Sequence, residues 1–278
     1  MIWAGKNAFM KILICGKGGS GKSTVSALLA LAMAERGKRV LIVDADESNV
    51  GLYRMLGLNM PQPLMDSFGG KKGFREKTAA VVSLDGTGAL FPKKMTINSL
   101  PEACVSSAGD IHVMSIGKIH HFGEGCACPM GKLFRTLFSS LDLQEEDLVI
   151  VDTAAGVEHF GRSLDSQCDM LLCIVDPSYE SITMAKRVNV LAREAGLPAF
   201  SVLNRIEESV ADILEEGLEA DKTIGKIPAS RDVFISNLKG RKLDSSLPEI
   251  NLLCEAIETV FPGCRKKAAT GRVFSELV

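Results

Sequence analysis

The residues best placed to do chemistry come early, as Gly16-Lys17-Gly18-Gly19-Ser20-Gly21-Lys22-Ser23, with Thr24 behind them. The spacing is G-x-x-x-x-G-K-[ST]. It follows an apolar run, Ile12-Leu13-Ile14-Cys15, and opens a stretch with helical spacing, Val25, Leu28, Leu29, Ala32 and Met33. Strand, glycine loop, helix is the context in which such a loop cradles phosphates. The glycines at 16, 18, 19 and 21 let successive backbone N–H groups turn inward, and the helix N-terminus adds its partial positive charge. Lys22 is expected to reach the β/γ-phosphates and the Ser23 hydroxyl to bind Mg²⁺, with Ser20 and Thr24 in the same cradle. The ligand implied is a nucleoside triphosphate.

Two further stretches end apolar runs in carboxylates. Val40-Leu41-Ile42-Val43 runs into Asp44-Ala45-Asp46, and Leu148-Val149-Ile150-Val151 runs into Asp152-Thr153-Ala154-Ala155-Gly156. At the carboxyl end of parallel strands, beside a phosphate loop, such residues serve a metal and a water molecule. Asp44 and Asp152 are read as Mg²⁺ residues, directly or through water, and Asp46 as the group that orients the attacking water. Gly156 can bring a backbone N–H to a γ-phosphate, the design of a switch that collapses after hydrolysis.

A different chemistry is suggested by Cys126-Ala127-Cys128, at the end of a loop that begins near Gly117 and contains His120 and His121. Two thiolates two residues apart can face one metal, but tetrahedral soft-metal sites take about four ligands. One chain supplies half a site; a symmetric dimer with this loop on its axis supplies a whole one, for Zn²⁺ or Ni²⁺. The two histidines are either auxiliary ligands or bystanders. Eight cysteines are scattered through the chain. Beside a nucleotide motif of cytosolic type this favours thiols, core packing or metal over a disulfide framework. Cys15 and Cys173 lie in apolar strands and read as core residues.

The elements that must position these groups follow from the pattern of the chain. Uninterrupted apolar runs suit central parallel strands covered on both faces. Further strands are expected at Ile111–Ser115, Met170–Val175, Phe200–Leu203 and Thr223–Ile227, with helices near Glu180–Ala195, Glu207–Glu219, Arg231–Leu238 and Glu249–Val260. The alternation predicts an α/β fold: a three-layer, doubly wound, mostly parallel sheet with helices on both faces, of the P-loop nucleotidase type. Residues 10–262 read as one domain, 1–9 as a tag or extended start, and 263–278 as a tail. Residues 49–110 are the least legible; Ala79–Leu84 with Ala89–Phe91 suggests a hairpin, Lys71, Lys72, Arg75 and Lys77 a solvated basic loop, and Glu145-Glu146-Asp147 a solvated turn. A net charge of −2 gives no reason to expect nucleic acid as partner, and no apolar run approaches the roughly 20 residues that span a bilayer. The expected compartment is the cytoplasm, with no membrane partner.

One residue of the phosphate loop is not required by its generic pattern: Lys17. Lys-Gly-Gly-Ser-Gly-Lys-Ser resembles the deviant Walker A of the dimeric ATPase class that contains site-selecting, plasmid-partitioning and nitrogenase iron proteins. The resemblance implies that Lys17 crosses a face-to-face homodimer to the partner's phosphates, as a catalytic cation beside Lys22. It also implies adenine as the base, contacted by Asn204 through its amide and Pro228 through its backbone, and so ATP with Mg²⁺. Within the class, the chain resembles the ATPases that mature carbon monoxide dehydrogenase by supporting nickel insertion. That likeness rests on Gly125-Cys126-Ala127-Cys128-Pro129, on Asp152-Thr153-Ala154-Ala155-Gly156-Val157-Glu158-His159-Phe160-Gly161-Arg162 and on Asp176-Pro177-Ser178-Tyr179-Glu180-Ser181. It implies an ATP-hydrolysing homodimer with Ni²⁺ or Zn²⁺ on Cys126 and Cys128 at its interface, and an apoenzyme of the carbon monoxide dehydrogenase or acetyl-CoA synthase type as client. Two other activities share the fold, a spatial-positioning ATPase and an iron–sulfur carrier. The first calls for a basic face or amphipathic terminal helix, neither clear here, and the second fits poorly with the close spacing of the two cysteines.

Overall fold

The computed structural model describes residues 9–83, 90–118, 128–157, 167–218, 222–244 and 246–271. The strands are β1 (Met10–Gly16), β2 (Arg39–Ala45), β3 (Val105–Ala108), β4 (Ile111–Ser115), β5 (Asp147–Thr153), β6 (Met170–Val175), β7 (Ala199–Ile206) and β8 (Thr223–Pro228). They form one sheet in the order β3-β4-β2-β5-β1-β6-β7-β8. Every pairing is parallel except that of β3 with β4 at the edge. The helices are α1 (Lys22–Glu35), α2 (Leu52–Met55), α3 (Leu64–Ser67), α4 (Gly70–Ser83), α5 (Cys128–Ser140), α6 (Tyr179–Glu194), α7 (Glu208–Glu216), α8 (Arg231–Leu238) and α9 (Pro248–Gly271). The expected three-layer, doubly wound α/β architecture is the one observed.

Strand alternation divides the core in two. Ile12, Ile14, Val40, Ile42, Leu148 and Ile150 face one layer with Leu28 of α1 and Ile250 and Leu253 of α9. Leu13, Cys15, Leu41, Val43, Val149 and Val151 face the other, with Phe134 and Phe138 of α5 and Ala185 and Val188 of α6. Cys15 and Cys173 are register partners on β1 and β6 and are buried, as expected for core residues. With both faces covered, the ligand-accessible region is the carboxyl edge of the strands, where β1, β2, β5 and β6 end.

Four local expectations need correcting. Residues 79–83 continue α4 rather than forming a hairpin, because Phe74 and Thr78, four apart, are buried on one face and hold the helix down. Residues 84–89 lie outside the described residues. Lys72, Arg75 and Lys77 are therefore the exposed face of that helix, not a loop. Asp147 is not part of a solvated turn: it is buried, accepts from Arg39 Nε at 2.7 Å and from Gln144 N at 2.8 Å, and so ties the starts of β2 and β5. Finally, α9 does not end near Val260 but runs through Pro262 to Gly271.

Candidate nucleotide site

Two glycines, Gly16 and Gly21, shape the loop between β1 and α1. Gly16 has φ +141, and a Cβ there would collide with the Ile174 carbonyl of β6. Gly21, with φ +96, is the residue before α1, and a Cβ there would strike the Asn204 amide. Lys22 is buried and folded back on its own loop, donating to Lys17 O at 3.2 Å and Gly16 O at 3.4 Å. Those carbonyls occupy an ammonium that phosphate oxygens would bind far more strongly. Around it lies a cleft of about 370 Å³, walled by the loop, Asp46, Ser48, Asn49, Ala155 and Arg205.

Of the three residues expected to serve Mg²⁺, Ser23 and Asp152 are brought together, with Asn49 beside them. Ser23 Oγ donates to Asp152 Oδ2 at 2.6 Å and Ser26 Oγ donates to Asp152 Oδ1 at 3.2 Å. Asn49 Nδ2 donates to both Ser23 Oγ (2.9 Å) and Asp152 Oδ2 (3.2 Å). Asn49 was not singled out from sequence. Burial pushes the Asp152 carboxyl up to about 6, against the hydrogen bonds of Ser23 and Ser26 and the Lys22 charge. Asp44 is the register partner of Asp152 on β2, but its carboxylate is taken up elsewhere. Its Oδ2 receives Lys118 Nζ at 2.6 Å and its Oδ1 receives the Asp46 N–H at 3.1 Å. Burial pushes Asp44 up to about 7, with Lys118 opposing. Asp46 reaches the cleft, its Oδ1 accepting from Ser48 N and Oγ at 2.9 and 2.6 Å.

Lys17 is held in its own subunit. Its ammonium donates to Ser178 Oγ at 2.9 Å and lies 3.4 Å from Asp176 Oδ2, while Ser178 Oγ donates to Asp176 Oδ1 at 2.7 Å. Ser178 also caps α6. Burial raises Asp176, yet bonds from Ser178 and Ser181 and the Lys17 charge win, leaving its carboxyl below the usual range. Gly156, with φ +96, donates its N–H to Gly16 O at 3.2 Å, so this residue is docked on the loop.

A second cavity, of about 780 Å³, adjoins the first. Apolar walls from Leu28, Ile227, Val233, Phe234 and Leu247 surround two amides, Asn204 and Asn237, with Pro228 at the rim. Asn204 Nδ2 donates to Ser20 O at 2.8 Å, so part of its amide already braces the loop. Asn237 donates to Thr24 Oγ1 at 3.2 Å, and its buried Oδ1 has no partner among the described residues. Arg205, at φ +58, donates to Gly19 O at 2.9 Å and lines both cavities. Sequence reading missed Asn49, Lys118, Arg205 and Asn237. Only Arg205 left a signal, standing beside Asn204 at the strand end.

The residues present fit a magnesium-bound nucleotide: an apolar cavity with amides joins a cationic cleft that ends at Ser23 and Asp152. Ser20 Oγ, inside the loop, is buried without a partner among the described residues. Cys126 lies outside the described residues, as do His120, His121 and His159, and Cys128 is the first residue of α5.

Comparison with known proteins agrees with this geometry. Residues 11–243 match the CobQ/CobB/MinD/ParA nucleotide binding domain. An uncharacterized ATP-binding protein of Methanocaldococcus jannaschii is 40% identical over 249 residues, covering 89% of this chain and 99% of that protein. The carbon monoxide dehydrogenase accessory protein CooC of Rhodospirillum rubrum is 31% identical over 271 residues, 93% of each chain. Among solved structures, the septum site-determining protein MinD of Pyrococcus horikoshii, complexed with Mg-ADP, superposes with a TM-score of 0.65 at 18% identity, covering 91% of this chain and 97% of that one. The chain is thus a P-loop ATP-binding protein and belongs to the CobQ/CobB/MinD/ParA nucleotide-binding family.

Proposed function

We propose that this protein is a dimerising, Mg·ATP-hydrolysing maturation factor that carries Ni²⁺ or Zn²⁺ as cargo for an apoenzyme of the carbon monoxide dehydrogenase type. The observation that carries the reading is Lys17, a loop lysine beyond what the subunit's own phosphate site needs, in a chain whose similarity to CooC extends over 93% of both proteins. In the closed dimer Lys17 leaves Asp176 and Ser178 and meets the partner's phosphates, adding the charge stabilisation that phosphoryl transfer requires. Lys22 holds the β/γ-phosphates, Asp46 orients water, and Asn204, Asn237 and Pro228 surround adenine. Mg²⁺, held by Ser23 and Asp152, would neutralise charge on the phosphates. Cys126 and Cys128 of two subunits supply four thiolates for the cargo metal.

The test is metal stoichiometry per chain for Ni²⁺ and Zn²⁺, on wild type and on the Cys126→Ser/Cys128→Ser variant, with size-exclusion chromatography. The expected result is about half a metal per chain in a dimeric wild type, lost in the double variant. Absence of binding above background in wild type sinks the metal-carrier reading and leaves a nucleotide-binding protein with another cargo.

A further inference from the structure

Lys118 is the charged group that the site does not yet explain. It follows β4 and is almost wholly enclosed, its side chain 4% exposed, as is that of its partner Asp44. Burying an ion pair is weak evidence for stability, since apolar residues of similar volume often do as well or better. What the pair does accomplish is local. One ammonium bonds both the Asp44 carboxylate and the Asp46 carbonyl, each at 2.6 Å, while the other Asp44 oxygen holds the Asp46 N–H. The Asp46 backbone is thereby fixed on its N–H and its C=O, and its carboxylate stands in the phosphate cleft. The same ammonium neutralises Asp44, which would otherwise stand as a second bare carboxylate abreast of Asp152.

We infer that Lys118 is a positioning residue for ATP hydrolysis: it sets the Asp46 carboxylate toward the attacking water and withdraws Asp44 from the metal, leaving Mg²⁺ to Ser23 and Asp152. The inference rests on the ATPase reading and revises the role expected of Asp44. It makes the strength of nucleotide binding independent of Lys118 and the rate of hydrolysis dependent on it.

The test separates rate from stability. Lys118→Met should lower kcat about a hundredfold while KM for Mg·ATP stays within about threefold, because a carboxylate displaced by roughly 1 Å loses the water without loosening the phosphate loop. Lys118→Met strands a buried carboxylate, so the neutral pair Asp44→Asn/Lys118→Met is made beside it. The pair should melt near the wild-type temperature and remain slow. Recovery of both melting temperature and kcat in the pair would reduce Lys118 to a structural counter-ion and overturn the inference, as would a wild-type kcat in Lys118→Met. A measurement on the unaltered chain stands apart from folding of the variants: Lys118 should resist acetic anhydride without nucleotide, with Mg·ADP and with a non-hydrolysable ATP analogue. Labelling that appears with the analogue would contradict it. If wild type releases no phosphate from Mg·ATP, the ATPase reading fails instead, and the labelling result still judges the tie.

Discussion

Asp152 carries an electrostatic demand of its own. It is fully enclosed, and burial moves its carboxyl from the ordinary 3.8 to about 6, which costs the ionised form about 3 kcal/mol. The sign follows from proton uptake. Between about pH 4 and pH 6 the folded chain holds a proton that the unfolded chain has released, so stability falls as pH rises through that window. The nucleotide-free protein should therefore lose melting temperature from pH 4.5 to 7 relative to Asp152→Asn, measured by calorimetry. Mg·ADP should restore more of it at pH 7 than at pH 5; parallel curves for the two proteins would contradict this. At this scale legibility depended on sequence distance. Lys22, Ser23 and Asp152 fall in contiguous motifs whose chemistry is readable from spacing alone. Asn49 meets Asp152 across 103 residues and Lys118 meets Asp44 across 74, so neither pairing leaves a local trace.

Among the elements, the end of β7 is the piece that joins the two cavities. Asn204 and Arg205 grip consecutive carbonyls of the phosphate loop, Ser20 and Gly19. Arg205 does so from a left-handed backbone, φ +58, which costs a side-chain-bearing residue about 1–2 kcal/mol. A nucleotide lying across both cavities must pass its guanidinium. Arg205→Gly should thus keep or raise the melting temperature of the nucleotide-free protein by a few degrees, about 2–4 °C per kcal/mol. The same variant should weaken ADP binding about tenfold, the worth of a charged hydrogen bond, as read by titration calorimetry. Unchanged ADP affinity would remove Arg205 from the site. The central strands were legible because apolar runs that end in Asp or Asn have few other uses. The stretch 49–110 was not: its helices follow from burial of Leu52, Leu64 and Phe74 in the two core layers, and the edge strand β3 is only half apolar. The basic cluster was visible as residues but not as the exposed face of α4.

As a whole, the molecule presents a sheet edge on which cations are held by internal partners: Lys22 by loop carbonyls, Lys17 by Asp176 and Ser178, Lys118 by Asp44. In the proposed dimer, nucleotide would compete for Lys22 and a second subunit's phosphates for Lys17. That is differential binding between two states, the condition for a ligand at one site to change affinity at another. The fold itself was legible from strand and helix alternation; the trans role expected of Lys17 rests on resemblance, whereas Cys126 and Cys128 are legible from their spacing only as half a metal site. The central claim is that nucleotide closure and cargo metal act on the same dimer. Its most direct test is Zn²⁺ and Ni²⁺ affinity measured with ADP and with a non-hydrolysable ATP analogue, in wild type and in Cys126→Ser/Cys128→Ser. The account predicts affinities that differ at least about tenfold between the two nucleotides, and no such difference in the double variant. Equal metal affinity with either nucleotide, or a difference that survives loss of both cysteines, would contradict it.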